Sequence, residues 1–297
     1  MKVYYGSTCK HVTCTTYSLP WDAARRLGEK ELDFAGGMKA SPDLVRRVVQ
    51  CGALSLLVFE LPERPADARD SYGSVLWPAA TFLAHKLASE DLSGAAVLEL
   101  GCGNGLCSLA ALTRGAARVV ASDYRELPLT LVEAAAREQP VAIDASRLEV
   151  RVLDMAAPMP AAAVVASRSR ARRIPPCDAP LPPHDLLLAA DVGYDEGLAW
   201  RLGERCRESL GRGGRVLVAE SRQMPHCRHA FSEALNVGRP ESLPRLKLQP
   251  QEWPVELQLQ PSSDAAASSR VRVAAGGDEQ TSSTIWLLDA GGAESEW

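Results

Sequence analysis

Four carboxylates within or at the ends of apolar runs, and a cluster of glycines beside the first of them, carry most of the chemistry in this chain. Glu99 interrupts the run Val97, Leu98, Leu100, and glycines follow at Gly101, Gly103 and Gly105. Asp123 closes a second apolar run, Asp154 a third, and Asp191 a fourth, with Tyr194 soon after it. Carboxylates placed at successive strand ends can accept hydrogen bonds from the hydroxyls and amines of a ligand lying across them. Glycines between strand and helix let the backbone approach that ligand closely.

The spacing narrows the ligand. A dinucleotide turn reads G-x-G-x-x-G, but here the third glycine comes one residue early and Leu106 stands where the fingerprint wants glycine. Glu99, just before Gly101, would also oppose a pyrophosphate at the same helix N-terminus. A ligand with an amine and a sulfonium and no phosphate suits this acid, and S-adenosylmethionine carries both. Asp123, some twenty residues further on, then falls where a carboxylate accepts from the ribose hydroxyls. Asp154 falls beside adenine, with Leu153 or Met155 to cover a ring face.

The elements that must hold these residues follow from periodicity. Strand 97–100, glycine turn, helix from 106 and strand 119–123 form a βαβ unit. Helices are expected over 79–87, 127–138, 196–210 and 226–236, and strands over 148–153, 185–190 and 215–220. The alternating tail, ending in a strand over 284–288, predicts antiparallel edge strands rather than another βαβ repeat. The fold class is therefore a Rossmann-like, doubly wound α/β sheet, mostly parallel with an antiparallel C-terminal edge. Ser41-Pro42-Asp43 predicts a helix over 44–50, followed by a strand over 53–59. The proline- and charge-rich stretch 62–70 divides an otherwise irregular N-terminal extension, 1–70, from the main domain, 71–297. Within that domain, inserted loops are expected near 156–184, where Arg168, Arg170, Arg172 and Arg173 cluster, and near 261–280. The arginine cluster reads as a solvated face, with an acidic partner as the alternative.

Composition excludes several classes. The chain has 297 residues, 46% hydrophobic and 24% charged, with a net charge of −4, an ordinary globular balance without a strong nucleic-acid or anionic-membrane signal. No apolar run approaches the ~18 residues of a membrane span. The 8 cysteines form no C-x-x-C pair, so reduced thiols are expected. His226, Cys227 and His229 lack a second cluster at ligand spacing, and no metal is expected. The expected compartment is the cytoplasm, with an organelle left open by the Ser- and Thr-rich N-terminus, and the expected state is a monomer.

The motifs resemble a known family. E-L-G-C-G-N-G at 99–105 is similar to the first motif of the seven-stranded, class I S-adenosylmethionine-dependent methyltransferases. Leu76-Trp77-Pro78-Ala79-Ala80 ahead of it, A-A-D-V-G-Y at 189–194 and Glu220-Ser221-Arg222 beyond resemble the methyltransferase-like protein-lysine methyltransferase group. That resemblance covers 71–222 well and implies a seven-stranded sheet. It implies that Glu99, Gly101 and Gly103 shape the methionine end of the cofactor site, that Asp123 holds ribose and Asp154 adenine, and that Trp77 lines the pocket. Asp191 and Tyr194 would sit where methyl donor meets acceptor, positioning the amine. Two departures stand out: Gly193 replaces a bulky aliphatic residue, and Met155 replaces an aromatic one. The resemblance implies a protein substrate offering a lysine. A small-molecule amine or another protein side chain such as histidine is the alternative acceptor, and a non-catalytic binding protein the alternative class.

Overall fold

The computed structural model describes residues 45–60, 72–155, 180–222, 224–254 and 282–291. Its centre is a sheet of 7 strands in the order β5-β4-β3-β6-β7-β9-β8. In chain order these are β3 (Ala96–Leu100), β4 (Arg118–Asp123), β5 (Leu148–Val152), β6 (Leu186–Ala190), β7 (Arg215–Glu220), β8 (Gln249–Pro254) and β9 (Ser282–Ala290). Strands β3 to β7 run parallel, and β9 is antiparallel to both β7 and β8. The strand order reverses between β3 and β6, the kind of switch point at which doubly wound sheets bind ligands. The antiparallel C-terminal edge expected from the alternating tail is present.

Helices cover both faces. The central strands, apolar on both faces through most of their length, require this: Leu98, Leu100, Leu187, Leu188, Val216 and Val218 are all buried. One face packs against α1 (Pro78–Leu87), α2 (Leu106–Thr113) and α3 (Glu126–Arg137), the other against α4 (Glu196–Gly211) and α5 (Pro225–Leu235). Helix α5 turns Cys227 into this second core, against α4. At the far edge, Trp253 of β8 meets Phe82 and His85 of α1 edge-on, at 5.2 and 5.1 Å.

One expectation is overturned. The segment expected as a helix over 44–50 is a strand, β1 (Val45–Cys51), paired antiparallel with β2 (Leu54–Glu60). The β-branched Val45, Val48 and Val49 disfavour a helix. Burying Val49 and Cys51 against the main core, beside Leu56 to Phe59, decides for the hairpin over the Ser-Pro-Asp start signal. The N-terminal region is therefore not irregular where it is described, because this hairpin shares its core with α1, α2 and α3. Glu60 ties the hairpin to the stretch before α1, accepting from the Leu76 N–H at 2.6 Å and from Arg47 Nε at 2.5 Å. The insertion 156–184, with its arginine cluster, lies outside the described residues up to 179, as does the loop at 261–280. Among the described residues no helix is long and apolar enough to cross a membrane.

Candidate active site

The glycine turn connects β3 to α2 at the switch point. Gly101 has φ +66, and a Cβ there would meet Val192 Cγ2 at 2.7 Å, so the turn sits tightly against the segment after β6. Gly105, at φ +78, is the N-cap of α2, and a Cβ on it would lie 2.4 Å from Val132 of α3. Both positions exclude a side chain by conformation and by space.

No side chain of the turn itself caps α2, and Glu99 supplies the cap from the neighbouring strand. Its carboxylate, 1% exposed, accepts from the Ser108 N–H at 2.9 Å and from the Ser108 hydroxyl. Burial pushes Glu99 up to about 7, against the Ser108 bonds that pull it down. An anion at a helix N-terminus is favoured by the dipole, so Glu99 fixes the helix that follows the glycine turn.

Asp123 joins the end of β4 to the same turn. One oxygen accepts from the Gly103 N–H at 3.1 Å, the other from the Arg125 N–H at 3.1 Å. Burial raises its pKa to about 6 in spite of these donors. Asn104, 3% exposed, leaves its side-chain Nδ2 buried and unpartnered. A buried donor without an acceptor is costly and is satisfied readily by a ligand oxygen. The short helical turn Tyr72–Ser74 covers the glycines, bringing the Gly73 carbonyl oxygen within 3.4 Å of where a Cβ on Gly103 would be. The periodicity of the sequence carried no signal for this cover. Asp154 follows β5 and is exposed, while Leu153 and Met155 on either side of it are buried.

Across the switch point the residues are locked together differently. Asp191 is the only non-glycine with positive φ among the described residues, at +55. Its carboxylate is buried and fully engaged. One oxygen accepts from the Ser221 N–H at 2.7 Å, the other from the Ala79 N–H at 3.2 Å, and the Ser221 hydroxyl reaches both at 2.8 Å. Helix α1, which has no side-chain cap of its own and begins with a proline, is thus capped from β6. Burial raises the Asp191 pKa, against the bonds from Ser221. The strained backbone is held by these contacts, as strained residues at functional sites are. Asp195 caps the helix that follows, accepting from the Gly197 N–H at 3.0 Å and the Leu198 N–H at 3.3 Å.

Beside Asp191 stands a residue that was not expected as a site residue from the sequence. Glu220, at the end of β7, is 6% exposed and accepts from the Gly193 N–H at 2.7 Å. Burial, then the nearby Asp191 charge, pushes it up to about 8. It explains the unusual glycine, since a Cβ on Gly193 would sit 2.9 Å from Glu220 Oε1. Glu220, Arg222, Met224 and Phe231 line a small cavity behind this corner. Trp77 and Tyr194 come together here through a shared cation. The Arg222 guanidinium carbon lies over the Trp77 ring, 4.5 Å from its centroid, and over the Tyr194 ring at 5.7 Å. Tyr194 is 39% exposed, and partial burial, with Tyr124 and Asp123 nearby, raises its hydroxyl to about 12. The sequence signal for Glu220 and Arg222 was their position at a strand end, visible but not tied to a role.

Comparison with known proteins agrees with this geometry. Residues 64–167 match the family model described as lysine methyltransferase. No curated protein matches the chain. A Streptococcus mutans protein described as an S-adenosylmethionine-dependent methyltransferase has a similar fold, with a TM-score of 0.50 at 12% identity, covering 85% of this chain. The chain spans 57% of that protein's length. A second structure, described as a methyltransferase complexed with S-adenosylhomocysteine, aligns at a TM-score of 0.49 and 13% identity, covering 85% of this chain and 57% of its own. The magnesium protoporphyrin IX methyltransferase of Synechocystis, with S-adenosylmethionine bound, aligns at 0.40 and 14% identity, over 71% of this chain and 77% of its own. The turn has features that suit such a cofactor: a buried carboxylate at the end of β4, an orphaned amide donor beside it, and glycines that leave the backbone accessible. The described residues share their seven-stranded α/β fold with that Streptococcus mutans protein, and residues 64–167 are similar to the lysine methyltransferase family.

Proposed function

We propose that this protein is an S-adenosylmethionine-dependent protein-lysine N-methyltransferase. The observation that carries the reading is the aromatic pair Trp77 and Tyr194, gathered around Arg222 at the end of β6 and β7. Tyr194, 39% exposed, keeps part of its ring open beside the stacked guanidinium, an aromatic surface suited to the apolar stem of a lysine side chain. The family match over 64–167, described as lysine methyltransferase, supports it.

The bound cofactor supplies an activated methyl on a positively charged sulfur, so the chain itself must align and dehydrate rather than activate a leaving group. Asp123 would hold the ribose hydroxyls, Asp154 would lie beside adenine, and the Gly101 to Gly105 turn would carry the methionine end. The Asn104 amide would donate to a ligand oxygen there. Trp77 and Tyr194 would exclude water from the acceptor and orient its amine toward the methyl. A lysine with its usual pKa of ~10.4 must lose a proton before it attacks. Neither neighbour is free to take that proton by design: the Asp191 oxygens are occupied by N–H and O–H donors, and the Tyr194 hydroxyl is held protonated. The proton therefore leaves to water, and Asp191 acts as the clamp that aligns α1, β6 and β7 around the acceptor.

The test is methyl transfer from radiolabelled cofactor into a cell lysate, with acid hydrolysis of the labelled fraction. Label recovered as methyl-lysine is the expected outcome. Label in the small-molecule fraction, or on histidine, would replace the acceptor while keeping the cofactor site. No measurable affinity for S-adenosylhomocysteine would overturn the enzyme reading altogether.

A further inference from the structure

The Arg222 side chain is charged and stacked, and its edge makes no hydrogen bond among the described residues. Its face is held by Trp77 and Tyr194, yet no hydrogen bond or ion pair engages its N–H groups among the described residues. The nearest carboxylates do not claim it, because Asp191 is turned to Ala79 and Ser221 and Glu220 to Gly193. Elsewhere in the described residues arginines find acids: Arg215 pairs with Glu90 and Asp289, Arg201 with Glu204, Arg245 with Glu233. A guanidinium stacked by its face and free along its edge is already in the arrangement that binds a carboxylate by its fork.

Its strand is two removed from the glycine turn. The turn follows β3, and β7, which Arg222 follows, lies beyond β6 from it. With neighbouring strands ~4.8 Å apart, the two strand ends are roughly 10 Å apart. A carboxylate that meets the guanidinium edge on the side away from the turn comes from the incoming substrate.

We propose that Arg222 is a specificity-determining residue that reads an acidic side chain next to the acceptor lysine. The inference rests on the lysine reading above and deepens it by naming the substrate class: a lysine flanked by aspartate or glutamate. The two rings fix the guanidinium in advance, so little side-chain freedom is lost when the acid arrives.

The experiment uses a library of lysine-centred peptides carrying Asp, Ala or Lys at the flanking positions, with the full chain and radiolabelled S-adenosylmethionine. The expected result is labelling of acid-flanked peptides about tenfold over alanine-flanked ones, the worth of one charge-assisted bond. Arg222→Glu should abolish or invert that preference, and Arg222→Lys should keep part of it. S-adenosylhomocysteine affinity, measured by calorimetry, should stay the same in both variants. Equal labelling of all flanks, or a preference that survives Arg222→Glu, overturns the inference while leaving the lysine reading in place. A loss of S-adenosylhomocysteine affinity in Arg222→Glu assigns Arg222 to the cofactor instead and also overturns it. Intact S-adenosylhomocysteine binding with no lysine peptide labelled overturns the lysine reading, and this inference with it.

Discussion

The two halves of the site, on either side of the switch point, use buried carboxylates in opposite ways. At the ends of β3 and β4 the backbone does most of the shaping. Glycines leave space, and Asp123 accepts from the Gly103 and Arg125 N–H groups within its own neighbourhood. At the ends of β6 and β7 the shape depends on side chains reaching across the molecule. Asp191 joins residues 112 and 30 positions away in sequence, Ala79 and Ser221, and Glu220 reaches Gly193 across 27. On the function proposed above, the first half is a ligand cradle and the second a brace. Mutations should therefore separate them: acids of the cradle govern affinity, and acids of the brace govern stability.

The largest expected effect is on the brace. Asp191→Ala leaves the Ala79 and Ser221 N–H groups buried without acceptors and should lower stability by about 3–5 kcal/mol in chemical denaturation. Asp191→Asn should recover only part, since both oxygens face N–H donors and an amide offers one acceptor atom. On the cradle side, Asp123→Ala should raise the S-adenosylhomocysteine dissociation constant about 100-fold by calorimetry, two hydroxyl bonds to a carboxylate being lost. Its unfolding midpoint should move far less than that of Asp191→Ala. Equal destabilisation by the two variants would erase the distinction between cradle and brace.

The same contrast explains what the sequence made legible. The order of elements from β3 to β7, and the antiparallel edge after them, follow from apolar runs of strand length and from helical spacing. The cradle was legible because its parts lie close along the chain: an acid, three glycines and a helix start within 99–106. The brace was only half legible. Asp191 stands at a recognisable strand end, but that its partners are Ala79 and Ser221 is a property of the assembled sheet, with no local periodicity. Gly193 stood out in the sequence only as a replacement of a bulky aliphatic residue; the structure shows it as the space filled by Glu220. The hairpin β1–β2 was missed for a related reason. Ser41-Pro42-Asp43 is a local helix signal, and burial of Val49 and Cys51 against a distant core overrode it.

An intermediate effect tests that filled space. Gly193→Ala places a methyl against Glu220 Oε1 and should cost about 1–3 kcal/mol, the usual range for overpacking. In a Glu220→Ala background the same substitution should cost less than half as much. A double-mutant cycle with no coupling between the two positions would mean that Glu220 does not set the size of residue 193.

A further effect concerns both halves together, because each buries acids that hold their protons more tightly in the folded chain. Burial lifts Glu99 from 4.5 to about 7, Asp123 from 3.8 to about 6 and Glu220 from 4.5 to about 8. A raised acid binds more protons folded than unfolded between its two pKa values, so stability falls as pH rises through that interval. The ligand-free protein should therefore be most thermostable near pH 4–5 as far as these groups decide, lose stability progressively toward pH 8, and level off above it. Acid denaturation by other groups sets in below that window. Glu99→Gln keeps an acceptor for Ser108 without the titrating proton, and should flatten the fall between about pH 4.5 and 7 while leaving the segment toward pH 8, set by Glu220, in place. Thermal melts at successive pH values measure both slopes. Melting temperatures that rise from pH 5 to 8, or a Glu99→Gln profile parallel to that of the parent, would show that the carboxylate of the cradle is stabilised rather than opposed by its burial under the α2 cap.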